Sequence, residues 1–259
     1  MKIKLLQLNI WAGTHFPVIR QFLEHNGFDI LCFQEVAGPN SHSGNFHSQE
    51  DQFLRLQNFL GSQYHGQLAI AMHFSSDPIH SYDGNAIFYK NQFQMVEKHT
   101  LTLYKGIDPF PSDLKTYEEQ GRNALRLTLK KDSQTINVIT THLAWAPTQS
   151  EHPHQRKQNL HLIEYVKNLP TPWILTGDFN MEPKQQTILD FEQLGHNLIK
   201  DYNIQNTIDP QNHAAWDNIK PGFPVDYIFV SPDVKVDSFE ALKDVHMSDH
   251  LGLITIIEV

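Results

Sequence analysis

Cysteine is nearly absent: Cys32 is the only one in 259 residues. A lone cysteine excludes an intrachain disulfide framework. Its flank, "DILCFQEV", is apolar, which marks a buried structural thiol rather than a nucleophile. Long apolar runs are missing as well. A membrane-spanning helix needs about 18 or more consecutive apolar residues, and none occurs. The start of the chain, "MKIKLLQLNIW", meets Gln7 and Asn9 before a signal-peptide core could form and offers no small-residue cleavage site. It reads as a first strand and points to an intracellular, cytoplasmic protein. Positive charge is scarce, with 20 Lys and Arg against 29 Asp and Glu and a net charge of −9. That argues against a broad nonspecific nucleic-acid surface, although groups and cations at a cleft set their own local field. Repeats, low-complexity tracts and Gly/Ser linkers are also absent, so a single domain over residues 1–259 is expected.

What is present is a series of short runs rich in Ile, Val, Phe and Leu, bounded by Gly, Pro, Asn and Asp: "KLLQLNI", "DILCFQEV", "NAIFYK", "ALRLTL", "TINVITTHL", "PWILTGDFN", "VDYIFVS" and "LGLITIIEV". These read as strands. Helical spacing intervenes in "FPVIRQFLEHNG", with Val18, Ile19, Phe22 and Leu23 on one face and Gly27 as C-cap. It recurs in "QEDQFLRLQNFLG", through Phe53, Leu54, Leu56 and Leu60, and in "QRKQNLHLIEYVKNLP", stopped by Pro170. The alternation predicts an α/β fold with mixed sheets. Three long irregular segments, 37–49, 106–121 and 144–155, are candidate walls of a substrate site.

Several strands end in polar groups. Asn9 closes the first run, Glu35 follows the second, His142 ends "TINVITTH", and Asp178 and Asn180 end "PWILTGDFN". In "VDYIFV" and "SDHLGLITII" the order reverses, with Asp226, Asp249 and His250 preceding the apolar run. If the last two strands run opposite to the others, all these side chains meet at one rim, where ligand sites in α/β proteins are expected. Singly, each has a bland reading: a strand-end amide, a solvated carboxylate, a core histidine, or a turn in "GDFN". Their joint occurrence at strand boundaries, in order, is what singles them out.

That ordered set resembles the endonuclease/exonuclease/phosphatase superfamily, the group around DNase I, AP endonucleases, neutral sphingomyelinases and inositol-polyphosphate 5-phosphatases. The matching stretches are "LNIW", "FQEV", "GNAIFYK", "THL", "GDFN", "VDYIFVS" and "SDHLGL", which span residues 8 to 253. The resemblance implies a four-layer α/β sandwich, two packed mixed β-sheets flanked by helices, with the active site at one edge. Two departures stand out. Trp11 occupies a position that is acidic in some AP endonucleases, and "DGNAIFYK" lacks an obvious counterpart of the Glu that pairs with the middle His in the DNase I branch.

The resemblance also implies hydrolysis of a phosphate ester with Mg²⁺ or Mn²⁺ as cofactor, first as a phosphodiesterase or nuclease and alternatively as a small-molecule or lipid phosphodiesterase or phosphatase of sphingomyelinase or inositol-phosphatase type. Glu35 is then a metal ligand, with Asp249 and Asn9 beside it. Asp178 orients and deprotonates the attacking water, Asn180 donates to phosphate or holds that water, and His142 and His250 donate to non-bridging oxygens, with Asp226 behind His250. Arg122, Asn85 and Trp145 are candidate substrate contacts, Arg122 reading equally well as a surface salt bridge. His152, His154 and His161 read as a polar loop rather than a metal site. The expected partner is a phosphoester, nucleic acid or small phosphodiester, with no obligate protein partner. A non-catalytic interaction protein on the same fold is the competing class.

Overall fold

The computed structural model describes residues 1–43, 46–111, 117–146 and 151–259. Along the chain run β1 (Lys2–Asn9), α1 (Phe16–His25), β2 (Ile30–Gln34), a small ribbon of β3 (Ser41–Ser43) and β4 (Phe46–Ser48), α2 (Gln52–Leu60), β5 (Tyr64–His73), β6 (Tyr82–Lys90) and β7 (Gln94–Tyr104). Then come β8 (Arg122–Lys131), β9 (Gln134–His142), α3 (Pro153–Lys167), β10 (Trp173–Asp178), α4 (Gln186–Glu192), β11 (His196–Asn197), α5 (Leu198–Asp201), α6 (Trp216–Ile219), β12 (Asp226–Val230), β13 (Lys235–Ala241) and β14 (Leu253–Glu258).

Two six-stranded mixed sheets result, ordered β13-β14-β1-β2-β6-β5 and β11-β12-β10-β9-β8-β7. β1 is parallel to β2 and β9 to β10, while β14 runs antiparallel to β1 and β12 to β10. The last two runs therefore do enter from the rim at which the first four exit. Each strand of the first sheet divides its side chains by a period of two. Ile3 and Leu5 of β1, with Ile30 and Cys32 of β2, join the core between the sheets. Leu6, Leu8, Leu31 and Phe33 instead pack under α1 and α2, through Phe16, Ile19 and Leu56. On the second sheet Leu162, Val166, Ile188 and Phe191 of α3 and α4 close the outer face. Helix, sheet, sheet and helix make the four layers. Among the described residues no helix is long and apolar enough to cross a membrane.

Some local expectations change. α1 gives way at Asn26, which is extended, and Gly27 takes no positive φ, so it is not a left-handed cap. α2 follows its sequence closely: the Asp51 side chain accepts from the Leu54 amide 2.8 Å away, and Gly61 ends it at φ +61°. Leu54 itself, and Val18 of α1, point outward. Parts of the three irregular segments, 44–45, 112–116 and 147–150, lie outside the described residues.

Candidate active site

The layer between the sheets changes character toward one rim. On β1 the inward positions Ile3 and Leu5 are followed by Gln7 and Asn9, and on β9 Ile136 and Val138 are followed by Thr140 and His142. The buried amides bridge the two sheets: Gln7 Nε2 donates to Gln34 Oε1 (2.8 Å) and to Asp226 Oδ1 (3.1 Å), and Gln34 Nε2 donates to Thr140 Oγ1 (2.7 Å). The amide donors of this buried polar layer are partnered, which offsets their desolvation, while Gln7 Oε1 accepts no bond from the described residues. It also fixes the relative register of the sheets, and so the positions of the charged groups above it.

At the rim Asp178, fully buried at 1% exposure, is the hub. Its Oδ1 accepts the Asn180 amide (2.8 Å) and its Oδ2 accepts Asn9 Nδ2 (3.1 Å). The Nε2 atoms of His142 and His250 lie 3.6 and 3.7 Å from the same Oδ2. Burial pushes the Asp178 carboxyl up to about 6; the neighbouring Asp226 charge adds to this, while the His250 charge and the two N–H bonds offset part of it. Gly177 makes this approach possible. It sits inside β10 at φ +151° rather than in a turn, and a Cβ there would stand 2.0 Å from the Thr141 carbonyl oxygen of β9.

The two histidines differ. His250 Nδ1 lies 2.9 Å from Asp226 Oδ2. Burial opposes its charge, but Asp226, Asp178 and Asp249 outweigh it and raise its pKa well above the usual value. His142 is held neutral: burial, the Arg122 guanidinium and the His250 charge depress its pKa well below the usual value. Asn180 Nδ2 donates to the Leu143 carbonyl (3.0 Å), which fixes the orientation of the amide, and sits 2.9 Å from His142 Nε2. His142 therefore accepts at Nε2 and carries its proton on Nδ1, which is buried with no partner among the described residues. In this arrangement only His250 presents an Nε2 proton, whereas the sequence suggested two donors.

On the other flank Asn9 Nδ2 also donates to Glu35 Oε1 (3.0 Å), and its Oδ1 accepts the Trp11 amide (3.0 Å). Asn9 thus ties Glu35 to Asp178 through its amide nitrogen. Glu35 holds φ +53°, one of seven non-glycine residues at positive φ among the described residues, and Trp11, Ala12 and Asn180 are three more at this same rim. Such backbone costs about 1–3 kcal/mol per residue and concentrates at functional sites. Burial raises the Glu35 carboxyl to about 8, helped by the charges of Asp249 and Asp83. Burial likewise raises Asp83 to about 6, partly offset by Arg122.

These groups line a cleft of about 230 Å³ that includes Glu35, Asp83, Arg122, Asp178, Asp249 and His250. Arg122 is buried, its Nη2 donating to Gln120 Oε1 (2.6 Å), so it is no surface ion pair. Asn85 shares the inward face of β6 with Asp83 but sits one pleat further from the rim, where its amide donates to Asn123 Oδ1 (2.9 Å) instead of lining the cleft. Trp145 lines the cleft and also a second pocket of about 400 Å³, which shares Asn180 and His250. The sequence pattern names Gln34 only as the polar end of its run and assigns no part to Gln7 or Thr140; the signal for these two was the period of two that places them behind Asn9 and His142.

The sequence pattern of the Endonuclease/Exonuclease/phosphatase family matches residues 6–250. Nocturnin of Drosophila melanogaster is 28% identical over 182 residues, 67% of this chain and 24% of that protein, so the chain spans about a quarter of that relative's length. The human Nocturnin catalytic domain superposes with a TM-score of 0.72 at 21% identity, covering 99% of this chain and 93% of that one. A mannosyl-6-phosphatase from Bacteroides thetaiotaomicron gives 0.72 at 19% identity, covering 99% and 100%. An endonuclease/exonuclease/phosphatase from Bacteroides vulgatus gives 0.72 at 18%, covering 100% and 99%. At these identities the structural likeness establishes the fold.

Proposed function

Because the chain belongs to the endonuclease/exonuclease/phosphatase family, we propose that it is a divalent-metal-dependent phosphoester hydrolase with Asp178 as the base. The supporting observation is the convergence on one buried carboxylate of Asn9, Asn180, His142 and His250. With a pKa near 6, Asp178 is ionised at neutral pH yet basic enough to take a proton from water. His250, cationic and braced by Asp226, donates from Nε2 to a phosphate oxygen as negative charge develops. Asn180, released from His142 by the incoming phosphate, donates its amide. Arg122 adds positive charge from the cleft floor.

The residues fit a hard cation. Glu35, Asp83 and Asp249 line one flank, burial and then the charges of Asp249 and Asp83 raise Glu35, and Asp83 Oδ1 is buried without a partner among the described residues. Glu35 and Asp249, with Asp83 beside them, would hold Mg²⁺ or Mn²⁺, which prefer such oxygen donors. When bound, the cation supplies positive charge for a phosphate oxygen and the leaving group.

The substrate reading rests on the second pocket. Met181, Ile208, Ile219, Phe223 and Val225 give it apolar walls, and among the described residues that line it Glu151 and Glu182 are acidic and none is Lys or Arg. It suits an uncharged organic substituent on the phosphate better than a polyanionic strand, so a small phosphoester is favoured over a nucleic acid. The test is a panel of plasmid DNA, single-stranded RNA, abasic duplex, sphingomyelin, sugar and inositol phosphates and bis-p-nitrophenyl phosphate, with Mg²⁺, Mn²⁺ or EDTA. Turnover of small esters that EDTA abolishes is expected. Full activity in EDTA would overturn the metal requirement, and faster turnover of DNA or RNA would overturn the substrate class.

A further inference from the structure

Away from the cleft, two of the irregular segments meet through three side chains: Glu118, from the 3₁₀ turn Tyr117–Glu119, and His152 and His154, which bracket Pro153 at the start of α3. One ligand atom from each lies within 4.8 Å of the other two. The Nδ1 atoms of His152 and His154 face each other at 2.6 Å, and Glu118 Oε1 is 3.7 Å from His154 Nδ1. We propose that Glu118, His152 and His154 form a second metal site, for Zn²⁺, separate from the catalytic centre.

The donor set decides the metal. Two imidazole nitrogens and one carboxylate oxygen are borderline donors suited to Zn²⁺ and a poor match for Mg²⁺, which takes oxygen ligands and keeps its waters. Two Nδ1 atoms pointed at one another can share a single proton at most. With both protons on Nε2, both lone pairs address the same point, which is the arrangement a cation uses. A tetrahedral ion with Zn–N bonds of about 2.0–2.1 Å separates two nitrogens by about 3.3 Å, so the pair must open by about 0.7 Å. Glu118 and His152 are exposed and can supply that movement.

The backbone beneath the histidines is already held. The Glu151 carboxylate accepts the Thr187 amide (3.1 Å), the His152 amide donates to Gln155 Oε1 (2.8 Å), and Gln155 Nε2 donates to the Ala144 carbonyl (2.6 Å). Two ligands are thus mounted on a fixed support, and little ordering remains for binding to offset. Glu118 comes from the segment that continues to Gln120, a lining residue of the catalytic cleft, and His152 follows Glu151, a lining residue of the apolar pocket. A bound ion would fasten one wall of the site to the other.

The experiment is calorimetric titration of the tag-free full-length chain with Zn²⁺ in saturating Mg²⁺, at pH 7.5. The wild type should take up one equivalent that is missing in His152→Ala/His154→Ala. Glu118→Gln should weaken binding at least ~10-fold, the scale on which carboxylate support acts at metal sites. His161→Ala, changing an exposed histidine of α3, should bind as wild type. Co²⁺ in place of Zn²⁺ should give a visible absorption band in the wild type that the double variant lacks. Equal uptake by wild type and a folded double variant, or no uptake by either, would overturn the site and leave a hydrogen-bonded histidine pair.

Discussion

The two sides of the cleft treat the same side chain in opposite ways. His142 and His250 stand almost equidistant from Asp178 Oδ2, at 3.6 and 3.7 Å, and both are nearly buried. His250 has a carboxylate behind it and is driven to the cation; His142 has Arg122 nearby and a bare Nδ1, and stays neutral. Proximity to one shared carboxylate therefore does not set protonation. The group behind each ring does, because in a buried site the second neighbour's charge is poorly screened.

The most damaging way to break this comparison is to remove the shared neighbour. In the proposed reaction Asp178→Asn loses the base and should lower kcat by about 10³-fold, within the range for general bases, as measured on whichever ester the panel identifies. Near wild-type turnover would end the assignment of Asp178.

Removing the partner on one side only is milder. His250 must be protonated to donate, so activity should fall as pH rises through its raised pKa. Asp226→Asn withdraws the charge that raises it, and should shift the alkaline limb of kcat/KM to lower pH and reduce the plateau by about 10-fold. The acidic limb, set by Asp178 near 6, should move less. Profiles from about pH 5 to 9.5 at saturating metal decide it, and an unshifted alkaline limb would remove His250 as the cation.

The contrast itself can be read without turnover. Imidazole NMR of the metal-free protein at pH 6.5 should show His250 protonated and His142 neutral, and Arg122→Met should raise the pKa of His142. Two histidines titrating alike would dissolve the distinction.

The smallest effect concerns stability. The folded pKa of Glu35 is about 8 against an ordinary 4.5, so between those values the native state retains a proton that the unfolded chain has released. Stability of the metal-free protein must then fall as pH rises through that window. His250, with a raised pKa, loses stabilisation in the same direction above its ordinary value. Comparison with Glu35→Gln between pH 6.5 and 8 isolates the carboxylate: the variant should show a flatter decline in Tm, the difference amounting to a few degrees at roughly 2–4 °C per kcal/mol. Saturating Mg²⁺ should flatten the wild-type curve too.

Which strands were legible follows a physical rule. β1, β2, β6, β8, β9, β10, β12 and β14 are all interior to their sheets, and each was readable as an apolar run. The edge strands of the two large sheets, β5, β7, β11 and β13, escaped notice, as did both strands of the β3-β4 ribbon. An edge strand is half solvated and carries polar residues, as in "QMVEKHTLTLY", so its composition hardly differs from a loop. The sequence by itself determined the polar rim, because strand ends are local: Asn9, Glu35, His142, Asp178, Asn180, Asp226, Asp249 and His250 each announce themselves by ending or starting an apolar run. Tertiary structure alone decided what those groups are to one another. It made Asn9 a tether, gave the Nδ1 of His250 a carboxylate and the Nδ1 of His142 none, turned Arg122 inward, paired Asn85 with Asn123, and brought Glu118 to a histidine pair 34 residues further on. Ionisation and partnership depend on what stands within a few ångströms after two sheets have packed, and contacts between residues distant in the chain leave no mark in either one's local pattern.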